Sequence, residues 1–262
     1  MNTHPEQTAE SHPIEDASLS TQAQERRHTI LPLGLLAFLA SCGGGGQSSN
    51  TAADPPGTPT QQEAARFLLH AHFGASYSEI ADVKKMGFEA WLDKQMALPS
   101  SLSGWDWLKS KGYDAVDQNE FFFNDQPTNY MVWYQIMDSP DQVRRRMALA
   151  LSEFFVVSNQ GIQLNWPSFA MANYWDILCQ HAFGNYRQLL EAVTLSNAMG
   201  SFLNTLGNQK EDTRSGRQPD ENYAREVMQL FTVGLTQLNI DGSPKVGSNG
   251  QPLETYTQQD VS

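Results

Sequence analysis

Four polar residues near the C-terminus carry a spacing that acid–base chemistry could use. Glu221 and Arg225 are four positions apart, as are Asn222 and Glu226, so on a helix each pair meets on the surface. The same projection gathers Tyr223, Val227, Leu230 and Phe231 on one arc and leaves Asn222, Arg225, Glu226 and Gln229 on the other face. In such a site Glu226 would accept a proton or a ligand hydroxyl, while Arg225 and Asn222 orient an anionic or carbonyl group. The plainer reading is a solvated face, where each pair contributes about 0.2–0.5 kcal/mol.

Other reactive side chains are less well placed. His181 falls on the arc of Tyr174, Ile177 and Leu178, where a core histidine near a helix C-terminus is the simpler account. Cys179 projects about 160° away from it, and His70 and His72 are about 200° apart, so neither pair can grip one ion from a regular helix. No CxxC, HExxH or phosphate-cradling glycine loop is present. No metal site and no cofactor is therefore expected. Phe121, Phe122 and Phe123, with Tyr130, Trp133 and Tyr134, could line a groove for sugar rings; filling the core beneath a long loop is the commoner use of such a cluster. Arg144, Arg145 and Arg146 point in different directions from one helix, which favours separate salt bridges over an anion site.

The elements that must position these residues are helices. Thr60 with Glu63, Ser76 with Glu79, Ser139 with Gln142 and Asn185 with Gln188 fit the capping box or its amide variant. Gly74, Gly87, Gly184 and Gly234 follow periodic stretches as helix stops. The pattern predicts helices over 61–73, 77–86, 88–98, 128–138, 140–158, 167–183, 186–203 and 220–233, with loops at 99–127 and 204–218. Val143, Met147, Leu151 and Phe154, backed by Leu149, Val156 and Val157, predict a helix buried nearly all round. On it Arg144 either snorkels, the simpler reading, or meets a buried carboxylate. Thr236–Ile240, the Asp241-Gly242 and Asn249-Gly250 turns and Leu253–Tyr256 read as a β-hairpin with a long polar tip. No internal repeat is evident. The expected fold is an all-α, multi-helix globular domain with a small β-hairpin near the C-terminus.

Composition narrows the partners. Seventeen Lys and Arg against 29 Asp and Glu give a net charge of -12, which repels phosphate backbones and makes nucleic acid an unsuitable ligand. At the N-terminus Arg26 and Arg27 precede an apolar run from Ile30 to Ala40, then Leu39-Ala40-Ser41-Cys42. That run is too short to span a bilayer, which needs about 20 apolar residues. The arrangement resembles a bacterial lipoprotein signal peptide with its lipobox, residues 1–42, in which Cys42 is acylated and anchors the chain to a membrane. Gly43 after the cysteine then implies the outer membrane. Export is open between a general secretory route and the twin-arginine route that Arg26-Arg27 loosely matches. Residues 43–59, rich in Gly, Ser, Asn, Pro and Thr, read as a flexible tether, and residues 60–262 as the helical domain.

Several blocks carry a family resemblance. Ala65-Arg66-Phe67-Leu68-Leu69, Phe73-Gly74, Ala90-Trp91-Leu92, Arg145-Arg146-Met147-Ala148-Leu149, Phe183-Gly184-Asn185-Tyr186-Arg187 and Glu221-Asn222-Tyr223-Ala224-Arg225-Glu226-Val227-Met228-Gln229-Leu230-Phe231-Thr232 resemble the bacterial exported proteins called domain of unknown function 1800. The resemblance implies an exported helical protein, often encoded beside a second exported family with a sulfatase-like fold, which makes that protein a candidate partner. It supplies no activity. Members are longer, and Thr257 with Asp260 reads as the start of another helix, so the chain is expected to be an N-terminal fragment. Two functional readings follow: a lipid-anchored envelope binding or assembly module, or a hydrolase of envelope or extracellular polymers. In the second, Glu226, Arg225, Asn222 and Glu221 would carry the chemistry together with a group beyond Ser262.

Overall fold

Capping chemistry starts the first helices where the sequence places them. In the computed structural model, which describes residues 57–116 and 120–261, Thr60 Oγ1 accepts from the Glu63 amide at 3.2 Å and Glu63 Oε2 from the Thr60 amide at 2.9 Å. This opens α1, Gln61–Ala71. Ser76 and Glu79 repeat the exchange at the start of α2, Tyr77–Met86. Gly87, at φ +84°, is the single residue between α2 and α3, Phe88–Ala97, ending one and beginning the other. The expected signal peptide, Cys42 and most of the expected tether lie outside the described residues.

The remaining helices are α4 (Gly104–Ser110), α5 (Gln126–Asp138), α6 (Gln142–Phe154), α7 (Pro167–Gln180), α8 (Tyr186–Thr194), α9 (Asn197–Phe202) and α10 (Asn222–Glu226). The fold is all-α. Nine of the fourteen residues of α7 are buried, which makes it the hub; it packs against α4, α5, α6, α8 and α9. Around it Leu108, Met131, Phe155, Trp175, Leu178 and Met199 form the main core, each such side chain contributing about 1.5–3 kcal/mol by leaving water. Ala64, Leu68, Ile80, Val83 and Trp91 form a second cluster under α1–α3, joined by Val143 of α6.

Several expectations change. The stretch expected as a loop over 99–127 contains α4, capped by the Ser103 hydroxyl, which accepts from the Asp106 amide at 3.0 Å. Helix α6 stops at Phe154 and is not buried all round: Met147 and Phe154 are exposed, and the inward face carries Arg145 and Ala148. Ser139 and Gln142 form no capping box; Gln142 Nε2 donates to the Ser139 carbonyl at 2.7 Å instead. The expected helix 186–203 breaks at Leu195, because the Ser196 hydroxyl accepts from the Met199 amide and starts α9. Of the glycine stops, Gly87 and Gly234 adopt positive φ, whereas Gly74 and Gly184 do not. The aromatic cluster does not fill the core, since Phe123, Tyr130 and Trp133 are exposed.

The expected arms of the hairpin do pair: Gln237 N–H donates to Leu253 O at 2.9 Å and Thr255 N–H to Leu235 O at 3.1 Å. The tip, however, is a third arm rather than a loop. Lys245 N–H donates to Gln237 O at 2.8 Å, and Leu253 N–H to Lys245 O at 2.9 Å. Gln237, Lys245 and Leu253 thus form a closed ring in which each backbone donates to one neighbour and accepts from the other. The pairings are isolated antiparallel bridges. An eight-residue spacing underlies them, with Gly242 and Gly250, and Pro244 and Pro252, in equivalent places.

Candidate functional site

The segment 220–233 is not one regular helix. Asp220 Oδ1 accepts from the Asn222 amide at 2.8 Å, just ahead of α10. Asp220 is itself held by Asn208, whose side chain donates to its carbonyl at 2.8 Å and accepts from its amide at 2.9 Å. After Glu226 the chain widens into a π-helical turn, Val227–Phe231, a feature often found at functional sites. Gly234 N–H closes the turn onto Met228 O at 2.9 Å. Tyr186 OH, donating to Phe231 O, and Tyr223 OH, bonded to Thr194 Oγ1 at 2.5 Å, fix the segment to α8. Burial pushes the Tyr223 hydroxyl above the usual phenol range, partly offset by that bond.

The structure brings two of the four candidate residues together. Arg225 Nη2 lies 3.0 Å from Glu221 Oε2. Gln258 completes a triangle, donating to Glu221 Oε2 at 2.5 Å and accepting from Arg225 Nη2 at 3.2 Å. Both charged side chains are about a third exposed, 39% for Arg225 and 30% for Glu221. They stand beside a groove of about 520 Å³ between the π turn and the three-armed ring, lined by Arg225, Gln229, Tyr256 and Gln258 among others. Asn222 and Glu226 are absent from that lining, and among the described residues no side-chain hydrogen bond joins them. Glu226 Oε2 is instead buried without a hydrogen-bond partner. The groove therefore offers a guanidinium partly neutralised by Glu221, the Glu254 carboxylate, the side-chain amides of Gln229, Gln251 and Gln258, and a phenol, groups that bind polar chains by hydrogen bonds.

A second polar cluster answers one sequence expectation, the alternative that Arg144 meets a buried carboxylate. Arg145 and Asp141 are fully buried, 3.4 Å apart. Asp141 also accepts from the Ser101 amide at 3.2 Å and hydroxyl at 2.6 Å, and Arg144 approaches it at 3.6 Å. Arg144 thus meets a buried carboxylate instead of snorkelling; it donates to the carbonyls of Cys179 and Leu98 at 3.1 and 2.9 Å and covers the Phe183 ring. Two of the three arginines share one acid, and Arg146 stacks on Phe73, so they do not form three separate salt bridges. Arg145 donates to Cys179 Sγ at 2.8 Å, and burial pushes that thiol up to about 12. Nearby Asp176 accepts from the Gly104 and Trp105 amides at 2.6 and 3.0 Å, anchoring the start of α4. Burial raises its carboxyl above the usual range against the pull of those bonds and of Arg145.

The histidines are structural in their contacts. His181 caps α7, and its carbonyl accepts from Gly184 N–H at 3.0 Å. His72 is buried, with Nε2 3.0 Å from Glu79 Oε1 and Nδ1 accepting from Gly74 N–H at 3.3 Å, so both ring nitrogens are engaged. Among the described residues no three His, Cys, Asp or Glu side chains group as metal ligands, and no helix is long and apolar enough to cross a membrane.

These features define a helical domain with one hub helix, a buried Arg–Asp lock and a polar groove edged by a three-armed ring. The chain belongs to the family described as Protein of unknown function (DUF1800), whose sequence model matches residues 66–262. No curated protein and no solved structure matches it.

Proposed function

We propose that the chain is a binding or assembly module of the bacterial cell envelope, held to the outer membrane by a lipid on Cys42, with the groove beside Arg225 as its contact surface. The observation that carries this reading is the Glu221–Arg225–Gln258 triangle at the groove edge, where a partly exposed guanidinium is held in place to receive a carbonyl or carboxylate. The candidate partner is the second exported protein of sulfatase-like fold that the family resemblance implies. Co-purification of that protein with the full chain, reduced by Arg225→Glu and unaffected by the exposed substitution Tyr77→Ser, is the expected result. Equal recovery with wild type and Arg225→Glu refutes the assignment of the groove. Incorporation of labelled palmitate, abolished by Cys42→Ser, tests the anchor.

One observation favours the alternative of a hydrolase acting on envelope or extracellular polymers. The buried, unpartnered Glu226 oxygen is a carboxylate lacking the hydrogen bonds that buried acids usually have. In that reading Glu226→Gln abolishes a polymer-cleaving activity of the full chain; retention of the activity removes Glu226 from the chemistry.

A further inference from the structure

We propose that a cavity between α5, α6 and α7 binds a neutral, hydroxyl-bearing six-membered ring: a sugar residue. The site is separate from the groove beside Arg225 and does not depend on the reading given to that groove. The cavity, about 220 Å³, is walled mainly by apolar and aromatic side chains, Trp133 and Met171 among them, and no acidic or basic side chain lines it. Two polar atoms of its lining residues, Thr128 Oγ1 and Asn159 Oδ1, are buried without a hydrogen-bond partner. Leaving such groups unpaired disfavours the fold, and a ligand that pairs them relieves the cost.

The orientation of the Asn159 amide is fixed. Asn159 Nδ2 donates to the Asp125 carbonyl at 3.0 Å, and the Thr128 amide donates to the same oxygen at 3.1 Å. Reversing the Asn159 amide would set its oxygen against that carbonyl, so Oδ1 remains an acceptor for something else. The shared carbonyl also keeps the two side chains in one neighbourhood. Of the other polar groups of the wall, the Ser152 hydroxyl donates to Leu149 O at 2.7 Å, Trp175 Nε1 to Gln135 Oε1 at 2.7 Å, and Tyr174 OH to Phe155 O, while the Asn129 side chain is exposed to water. Thr128 and Asn159 are therefore the buried polar pair left to set specificity.

Charge and shape then select the ligand. An ion entering this cavity would lose its water with no counter-charge to meet it, so the ligand is neutral. Its volume lies below the roughly 300–1,000 Å³ of pockets for drug-sized molecules, which limits it to about one ring. Trp133, 60% exposed, offers an indole face on which the C–H side of a sugar can lie, while the hydroxyl edge turns to Thr128 and Asn159. A pyranose joins those two surfaces in one small molecule.

Saturation-transfer NMR and calorimetry on the full chain test this with glucose, galactose, mannose and N-acetylglucosamine, and with glucuronate and glucosamine as charged counterparts. At least one neutral sugar should bind with a dissociation constant on the order of 1 mM, and both charged sugars should bind at least about tenfold more weakly. Thr128→Val keeps the side-chain shape and removes the orphaned hydroxyl, so it should weaken sugar binding roughly two- to tenfold while leaving the melting temperature equal or higher. Trp133→Ala should abolish binding. Absence of saturable binding for all four neutral sugars overturns the proposal. So does binding that survives both substitutions, or a crystal structure at saturating sugar in which only water bridges Thr128 and Asn159.

Discussion

Removing the charge of Asp141 should be among the most damaging single changes this fold can suffer. Asp141 and Arg145 are both fully buried. Asp141→Asn preserves shape and some of the hydrogen bonding from Ser101 but leaves the Arg145 guanidinium without its counter-charge. Breaking a buried pair from one side costs about 3–5 kcal/mol, a large share of the roughly 5–15 kcal/mol that holds a domain folded. At about 2–4 °C per kcal/mol for a domain of this size, the melting temperature should fall by about 6–20 °C. Urea unfolding followed by tryptophan fluorescence measures the same loss. The double variant Asp141→Leu with Arg145→Met removes both charges and fills the space with apolar atoms, so it should recover much of the loss. A cost below about 1 kcal/mol for Asp141→Asn, or a double variant as unstable as the sum of its parts, refutes the argument.

Other outcomes follow from the same reasoning. Burial keeps the Cys179 thiol protonated up to about 12, whereas an unfolded thiol ionises near about 8.5. Its contribution is complete below about pH 8.5 and drains away as pH rises toward 12; native protein should resist maleimide at neutral pH, and Cys179→Ala should flatten the alkaline limb of a stability profile. Hydrogen bonds at the helix starts lower the carboxyls of Glu63 and Asp260, and at Glu79 the opposing burial is outweighed by Ser76 and His72. Their contribution is present above the ordinary carboxylate range and is lost as pH falls through the lowered values, so circular dichroism should show α1 and α2 weakening in acid. Gly87→Ala should cost about 1–3 kcal/mol by chemical denaturation, because the φ of +84° and ψ of 166° at that position suit glycine alone. Arg225→Ala, by contrast, should change stability by less than about 1 kcal/mol, since its pair with Glu221 is partly solvated.

What the sequence revealed was what neighbours in the chain decide. Thr60 with Glu63 and Ser76 with Glu79 sit three residues apart, so the capping exchange is complete within one turn and readable directly. Helix α4 escaped because seven residues give little periodicity, and part of its anchorage comes from Asp176, more than seventy positions away. Arg145 stands between two other arginines, a context that signals solvent; Asp141 one turn back at the start of its own helix, together with Ser101 and Cys179 from distant parts of the chain, makes it a core residue. At the candidate site the pairing of Glu221 with Arg225 was local and legible. The inward turn of Glu226 was not, because the helix widens into a π turn directly after it. The hairpin arms were visible in their turn residues, but the third arm was hidden by Pro244 and Pro252, which argue against a regular strand.

The ring of Gln237, Lys245 and Leu253 bears on solubility. Open sheets end in a row of idle amides and carbonyls that recruit other chains, and the exposed Leu238, Ile240 and Val246 would make such a border sticky. Here, at the level of those three residues, every backbone group that would form the border is already spent on a sister arm. Greasy tips can stand in water without seeding fibrils, and a single nick in any arm would uncap the other two at once.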